Sequence, residues 1–330
     1  MSLPPGSVIR GRGVARRPAG RFAREETLPE RDDNDDTPVS APATELIPEE
    51  IRSIISRNQS PDIPFEQSVN PYRGCEHGCV YCYARPSHAY MDLSPGLDFE
   101  QKIFAKPAAA TVLRQELSKR GYRCSPITLG ANTDAWQPVE RELHITRQIL
   151  RVFVEFRHPV SIITKSALVE RDLDLLQDLA RDNLVHVLVS VTTLDDELKR
   201  RMEPRTAGPR RRIETIRRLS AAGIPCGVLA APMIPGLNDH ELENILAGAA
   251  DAGAIFAGYV LLRLPYEVLP IFSDWLQAQY PLKAAKVLSL IRQVRGGTLN
   301  DAQFGSRMRG SGPIAALLAQ RFAAACRRHG

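Results

Sequence analysis

Six short runs rich in β-branched residues alternate with amphipathic stretches over most of the chain, and this alternation limits the folds open to it. Five runs are ITLGA (127–131), VSIIT (160–164), VHVLVSV (185–191), CGVLAA (226–231) and YVLLRL (259–264); a first strand is expected around Ser68 to Tyr72. Between them, apolar residues recur at helical spacing over 140–156, 168–181, 212–222, 239–252 and 266–279. Strands that are apolar nearly throughout and joined by helix-length connections belong in a parallel sheet covered by helices. Curled, six such units form an incomplete α/β barrel, a partial (β/α)6 TIM-like arrangement. An open doubly wound sheet shares this periodicity and stays open as an alternative.

The chain has 330 residues, which suits one barrel with appendages. The expected organisation is a charged tail over 1–45, a lead-in helix and linker over 46–66, the barrel over 67–265 and a helical accessory segment over 266–330. Six arginines from Arg10 to Arg24 precede an acidic block at Asp32, Asp33, Asp35 and Asp36, and such segregated charge with few apolar residues predicts disorder. Ile47, Ile51, Ile54 and Ile55 have helical spacing. Beyond Leu282 the sequence is helical and basic, broken at Gly296–Gly297 and again between Gly305 and Gly312.

With 43 basic against 38 acidic residues, charge alone makes no case for nucleic acid. Six scattered cysteines do not form a disulfide framework. No apolar run is long enough to span a bilayer, and the arginines near Met1 have no apolar segment behind them, so neither a membrane protein nor a secretory signal is expected. The expectation is a cytoplasmic protein.

Three of the six cysteines, Cys75, Cys79 and Cys82, fall in the run GCEHGCVYCYAR. A tight loop can aim three thiolates at one object, and thiolates suit zinc, copper or iron–sulfur clusters. Cys124, Cys226 and Cys326 are isolated, so a fourth thiol is missing. A structural zinc site would close its tetrahedron, and His77 is the candidate fourth ligand. A 4Fe–4S cluster on three cysteines would instead leave one iron open to another molecule.

The CxxxCxxC spacing with Tyr81 before the third cysteine, inside NPYRGCEHGCVYCYARPSHAY, resembles the signature of radical S-adenosylmethionine (SAM) enzymes. The similarity is closest to the branch related to spore photoproduct lyase and runs from about Pro61 onward. The resemblance implies the partial barrel, a single 4Fe–4S cluster on Cys75, Cys79 and Cys82, and SAM as second cofactor. It also implies reductive cleavage of SAM to a 5′-deoxyadenosyl radical that abstracts hydrogen, with a low-potential electron donor of flavodoxin or ferredoxin type. Lys165 would hold the cofactor carboxylate. Thr133 and Ser190 would meet its ribose and amino groups, with Asn132 and Asp134 as neighbours, and Tyr81 would lie near adenine. APMIPGLND (231–239) resembles the turn that flanks adenine, and Glu203 and Arg212 match a structural pattern after strand four.

Active sites of parallel α/β barrels lie at the C-terminal rim of the strands, and the cysteine loop, Asn132 to Asp134, Lys165, Ser190 and the turn from Pro232 to Gly236 fall at strand ends. The sixth strand ends at Arg263. Spore photoproduct lyase carries a hydrogen-donating cysteine at the end of its second strand; here the text is Gly130-Ala131-Asn132-Thr133-Asp134, without a thiol. The basic run from Lys199 to Arg218 suits a nucleic-acid or phosphate-bearing substrate as well as it suits a solvated face. A metal-stabilised, zinc-containing nucleic-acid-binding protein without catalytic activity is the second reading. The reaction, the substrate and the oligomeric state are not encoded in any motif.

Overall fold

The computed structural model describes residues 9, 11–14, 16–22 and 43–329. Its strands are β1 (Glu45–Pro48), β2 (Ile55–Arg57), β3 (Gln67–Val69), β4 (Tyr72–Arg73), β5 (Lys102–Ala105), β6 (Ile127–Leu129), β7 (Val160–Thr164), β8 (Val185–Ser190), β9 (Cys226–Met233) and β10 (Phe256–Leu261). The main sheet has the order β10-β9-β8-β7-β6-β3-β2, and β1, β5 and β4 form a small second sheet. From β3 to β10 every neighbouring pair in the main sheet is parallel, and β2 adds antiparallel to β3 at one edge.

The six parallel strands lie side by side in chain order. A doubly wound sheet would reverse its order at a switch point, and there is none. The two ends of the sheet are also bridged. Leu261 donates its N–H to Met308, which covers the free edge of β10, and the neighbouring Gly305 and Arg307 reach Asp62 and Ser60 in the loop between β2 and β3. The sheet is a curled, incomplete α/β barrel, as the sequence implied.

One face of each strand packs on the flanking helices: Val185, Val187 and Val189 of β8 and Val160 and Ile162 of β7 are buried there, whereas on the alternate face Ser161, Ile163 and Leu188 are half-buried and His186 is exposed. Helices follow each strand at 145–155, 173–181, 209–221, 242–251 and 268–279. The expected helix over 140–156 breaks at His144, whose φ of 52° leaves the helical region. The last helix, Gly312–His329, packs on Leu242–Asp251 with an Arg321–Glu243 ion pair. No helix among the described residues is long and apolar enough to cross a membrane.

Two expectations need correction. The lead-in helix around Ile47–Ile55 is two strands, β1 and β2. β-Branched side chains favour extension, β5 and β3 supply backbone partners, and the Glu116 carboxylate accepts the Ser53 hydroxyl and the N–H groups of Ile54 and Ile55. The described residues of the arginine-rich half of the tail, 9, 11–14 and 16–22, lie against the barrel. Ile9, Arg12 and Val14 are buried, and Arg16, Arg17 and Arg21 pair with Asp274, Asp98 and Glu267. Its arginines serve buried and half-buried carboxylates, which the local composition could not reveal. The acidic block lies outside the described residues.

Candidate active site at the strand ends

The cysteine loop follows β4 and is wedged by charge on three sides. Arg85 donates to the Cys79 carbonyl at 2.9 Å and pairs with Glu100 at 2.5 Å, both side chains fully buried. Glu100 also accepts the N–H groups of Gly13 and Val14 at 2.9 and 3.1 Å, so the N-terminal segment lies directly on the loop. A Cβ at Gly13 would fall 1.7 Å from the Gly78 carbonyl oxygen, and Gly78 itself has φ +67°; neither position tolerates a side chain. Glu76 accepts the Val139 N–H and pairs with Arg205 at 3.0 Å.

Cys75 and Cys79 are buried, Cys82 is half-buried, and all three are free thiols. Burial pushes the Cys79 thiol up to about 12, with Glu203 adding to the effect and Lys165 opposing it. Cys75 is raised too, by burial first and then by Asp134 and the other two thiols. The three sulfurs therefore share one electrostatic neighbourhood. His77 pairs through its Nδ1 with Asp134 at 3.3 Å, both side chains being buried, a contact that orients the ring and leaves Nε2 as its other nitrogen. Among the described residues no three His, Cys, Asp or Glu side chains, the three cysteines included, are drawn together as a metal site. Three free thiols in one tight loop, two of them buried, suit three irons of a 4Fe–4S cluster, whose binding would release their protons.

The residues expected around SAM fall into two groups. Lys165 follows β7, with its ammonium 5.7 Å from the centre of the Tyr81 ring and in electrostatic reach of Cys79 and Glu203. It makes no ion pair among the described residues. Ser190 ends β8 and is buried, and its carbonyl is held by Arg212 at 3.0 Å. Tyr81 is buried with its phenol on Glu203 and, at 3.2 Å, on Thr192. Thr133 is spent within the protein: it donates to the Gly74 carbonyl at 2.7 Å and accepts from Gln137 at 3.1 Å. It anchors the residue before Cys75 and does not present a free hydroxyl.

Asp134 and Glu203 are structural hubs that strand-end reasoning underrated. Burial would raise the Asp134 carboxyl, but His77 and the N–H groups of Lys165 and Trp136 outweigh it and hold the group at about 2. Burial likewise opposes the charge on Glu203, and Arg212, Lys165 and Tyr81 hold it at about 2. Arg212 satisfies itself on Glu203, Thr206, Ala207 and Ser190. Asn238, in the segment 231–239, ties that turn to Thr192 by donating to its carbonyl at 2.7 Å. Tyr83, absent from the sequence reading, donates its phenol to the Ala131 carbonyl on the rim of β6. Only its place beside Cys82 could have drawn attention to it.

The basic run from Lys199 to Arg218 is not an open cationic face. Arg201 pairs with Glu197, Arg205 with Glu76, Arg211 and Arg218 with Glu170, Arg212 with Glu203, and Arg217 with Glu214. Glu170 and Glu76 come from distant loops, so the window read in the sequence missed their neutralising charge.

Comparison with known proteins agrees with this geometry. Residues 69–247 match the Radical SAM superfamily. An uncharacterised protein of Mycobacterium tuberculosis is 37% identical over 233 residues, covering 70% of this chain and 68% of the relative. A radical SAM Nalpha-GlyT isomerase of Pseudomonas phage M6 is 24% identical over 175 residues, 52% of this chain and 34% of the relative. Among solved structures, spore photoproduct lyase complexed with dinucleoside spore photoproduct superposes with a TM-score of 0.58 at 16% identity, covering 86% of this chain and 78% of that one. A variant of spore photoproduct lyase reaches 0.60 at 14% identity, covering 90% and 86%; at such identities the likeness is one of fold. The matched span takes in the cysteine loop and the parallel strands β6 to β9, and the chain belongs to the radical SAM superfamily.

Proposed function

We propose that the chain is a radical SAM enzyme that holds one 4Fe–4S cluster on Cys75, Cys79 and Cys82 and binds SAM across the ends of β6 to β9. When bound, these cofactors supply the 5′-deoxyadenosyl radical that takes hydrogen from the substrate. The observation that carries the reading is Lys165. A cation in electrostatic reach of the buried Cys79 thiol, and with no ion pair among the described residues, is poised for the carboxylate of a ligand. Ser190 and the turn at 231–239 border the same space, while Asp134 and Glu203 keep Lys165 and Tyr81 in place. An electron donor of flavodoxin or ferredoxin type would serve as reductant.

The nature of the substrate is a nucleic-acid-related or other phosphate-bearing molecule in this reading. The nucleic-acid-related part of it is supported by the bound dinucleoside in the lyase structure and by the fold shared with it. Repair of spore photoproduct by the lyase's own route is not expected, because Ala131 stands where a thiol would be needed; the neighbouring phenol of Tyr83 is the hydrogen-bearing group at that rim. The test is anaerobic incubation of reconstituted, reduced protein with SAM, followed by assay for 5′-deoxyadenosine and, on a dinucleotide spore photoproduct, for restored thymines. Absence of 5′-deoxyadenosine from a cluster-loaded protein would refute the function. Multiple-turnover repair would refute the argument from Ala131.

A further inference from the structure

The end of β10 carries a positive charge that makes no ion pair among the described residues. Arg263 is half-buried, its Nε is sealed from solvent with no hydrogen-bond partner, and its Nη1 reaches only the Met308 sulfur at 3.8 Å. Two more guanidinium groups stand beside it. Arg295 is turned onto backbone, donating to the carbonyls of Leu261, Leu262, Ser306 and Arg307. Arg307 pairs with Asp62.

The carboxylates facing this cluster are already committed. Asp62 accepts from Arg307 and the Gly305 N–H, and Asp301 accepts from Ser306 and the Gln303 N–H. Burial and the neighbouring Arg307 both disfavour the charge on Arg263; Tyr83, Asp62 and Asp301 favour it only in part. Leaving a guanidinium underpaired in this way costs free energy. Such a cost persists in a fold where a transient anion repays it, and a planar guanidinium suits phosphate oxygens in pairs. The position fits as well: Arg263 follows a barrel strand on the cofactor rim and lies in electrostatic reach of Tyr83, the residue after Cys82.

We propose that Arg263, backed by Arg295 and Arg307, is the site that takes a phosphate ester group of the substrate and so sets which molecule is presented to the cofactor rim. The inference rests on the radical SAM reading for its purpose, but not for its test. Binding of a fluorescein-labelled thymidine pentanucleotide is followed by anisotropy without reductant, with inorganic phosphate as competitor at constant ionic strength. The wild-type protein should bind the oligonucleotide and release it to phosphate. Arg263→Gln should weaken binding at least tenfold, with iron content and SAM affinity unchanged, while Arg210→Gln on the outer helix binds as wild type. Equal affinity in Arg263→Gln, or no binding by the wild type, overturns the proposal. If Arg263→Gln does not fold, Arg263→Lys decides: a severalfold loss supports the paired-oxygen contact, and unchanged affinity overturns it. Oligonucleotide binding without any 5′-deoxyadenosine formation would refute the proposed function and leave the anion site standing.

Discussion

The cysteine loop and the end of β10 lie on the same rim and treat charge in opposite ways. Around the loop each buried acid has a named partner: Glu100 has Arg85 and two backbone N–H groups, Asp134 has His77, and Glu76 has Arg205. At the end of β10 the cations outnumber their carboxylate partners, and Arg263 makes no ion pair among the described residues. Dense mutual pairing fixes geometry, because moving any one member strands another in a medium where an unpaired charge is costly. A surplus of one sign does the reverse and leaves the site incomplete until a ligand arrives. The first arrangement suits a resident cofactor, the second a visiting molecule.

The largest expected effect tests what the loop holds. Alanine at any of Cys75, Cys79 or Cys82 should abolish iron binding as a 4Fe–4S cluster, whereas joint alanine substitution of Cys124, Cys226 and Cys326 should leave iron content intact. Iron lost from the latter variant would show that the ligands were misassigned. Next is the buried pair beneath the loop. Arg85→Met leaves Glu100 charged and fully buried, and should lower stability to urea by about 3–5 kcal/mol; a loss below 1 kcal/mol would remove the claim that pairing fixes this region.

His88 gives a pH test on the same side of the molecule. Burial holds its pKa at about 4 against the ordinary 6.5, with its ring against Phe99 and its Nε2 near the Lys102 carbonyl. Below 6.5 the unfolded chain takes up a proton that folded His88 refuses until about 4. Its contribution is therefore present above 6.5 and is lost as pH falls across that window, by on the order of 3 kcal/mol in total. In His88→Leu the part of the pH slope due to this group should disappear from the unfolding free energy; an unchanged slope assigns it elsewhere. The smallest effect belongs to the half-open side. Lys165→Met keeps the aliphatic stem, so folding and iron loading should survive while SAM affinity falls by about 1.5–3 kcal/mol, read by calorimetry. Unchanged affinity would make Lys165 an ordinary strand boundary.

Strand positions were legible because strands of a helix-covered parallel sheet are short runs rich in β-branched residues between helix-length connections: VSIIT is β7 residue for residue, and β8 ends one residue short of its predicted run. The cysteine triad was legible because ligands to one object must be close in a tight loop. What could not be read was pairing across distance. Glu100 answers Gly13 and Val14 from 86 residues away or more, so the arginine-rich segment looked like a solvated tail. Glu170 lies some 40 residues before the arginines it neutralises, so their run looked like a binding face. Ile47 to Ile55 misled because the spacing of four side chains says nothing of the strands that will lie beside them.

The contacts that close the barrel have a consequence for the order of events during synthesis. Arg16 meets Asp274, and Arg307 meets Asp62, over separations of 258 and 245 residues. Neither contact can form until the later residue has been made. Ribosomes add about 5–20 residues per second, so Cys82 precedes Asp274 by on the order of ten to forty seconds. For that interval the three thiols belong to a chain whose far wall does not yet exist, and iron and sulfide can meet them before the barrel shuts.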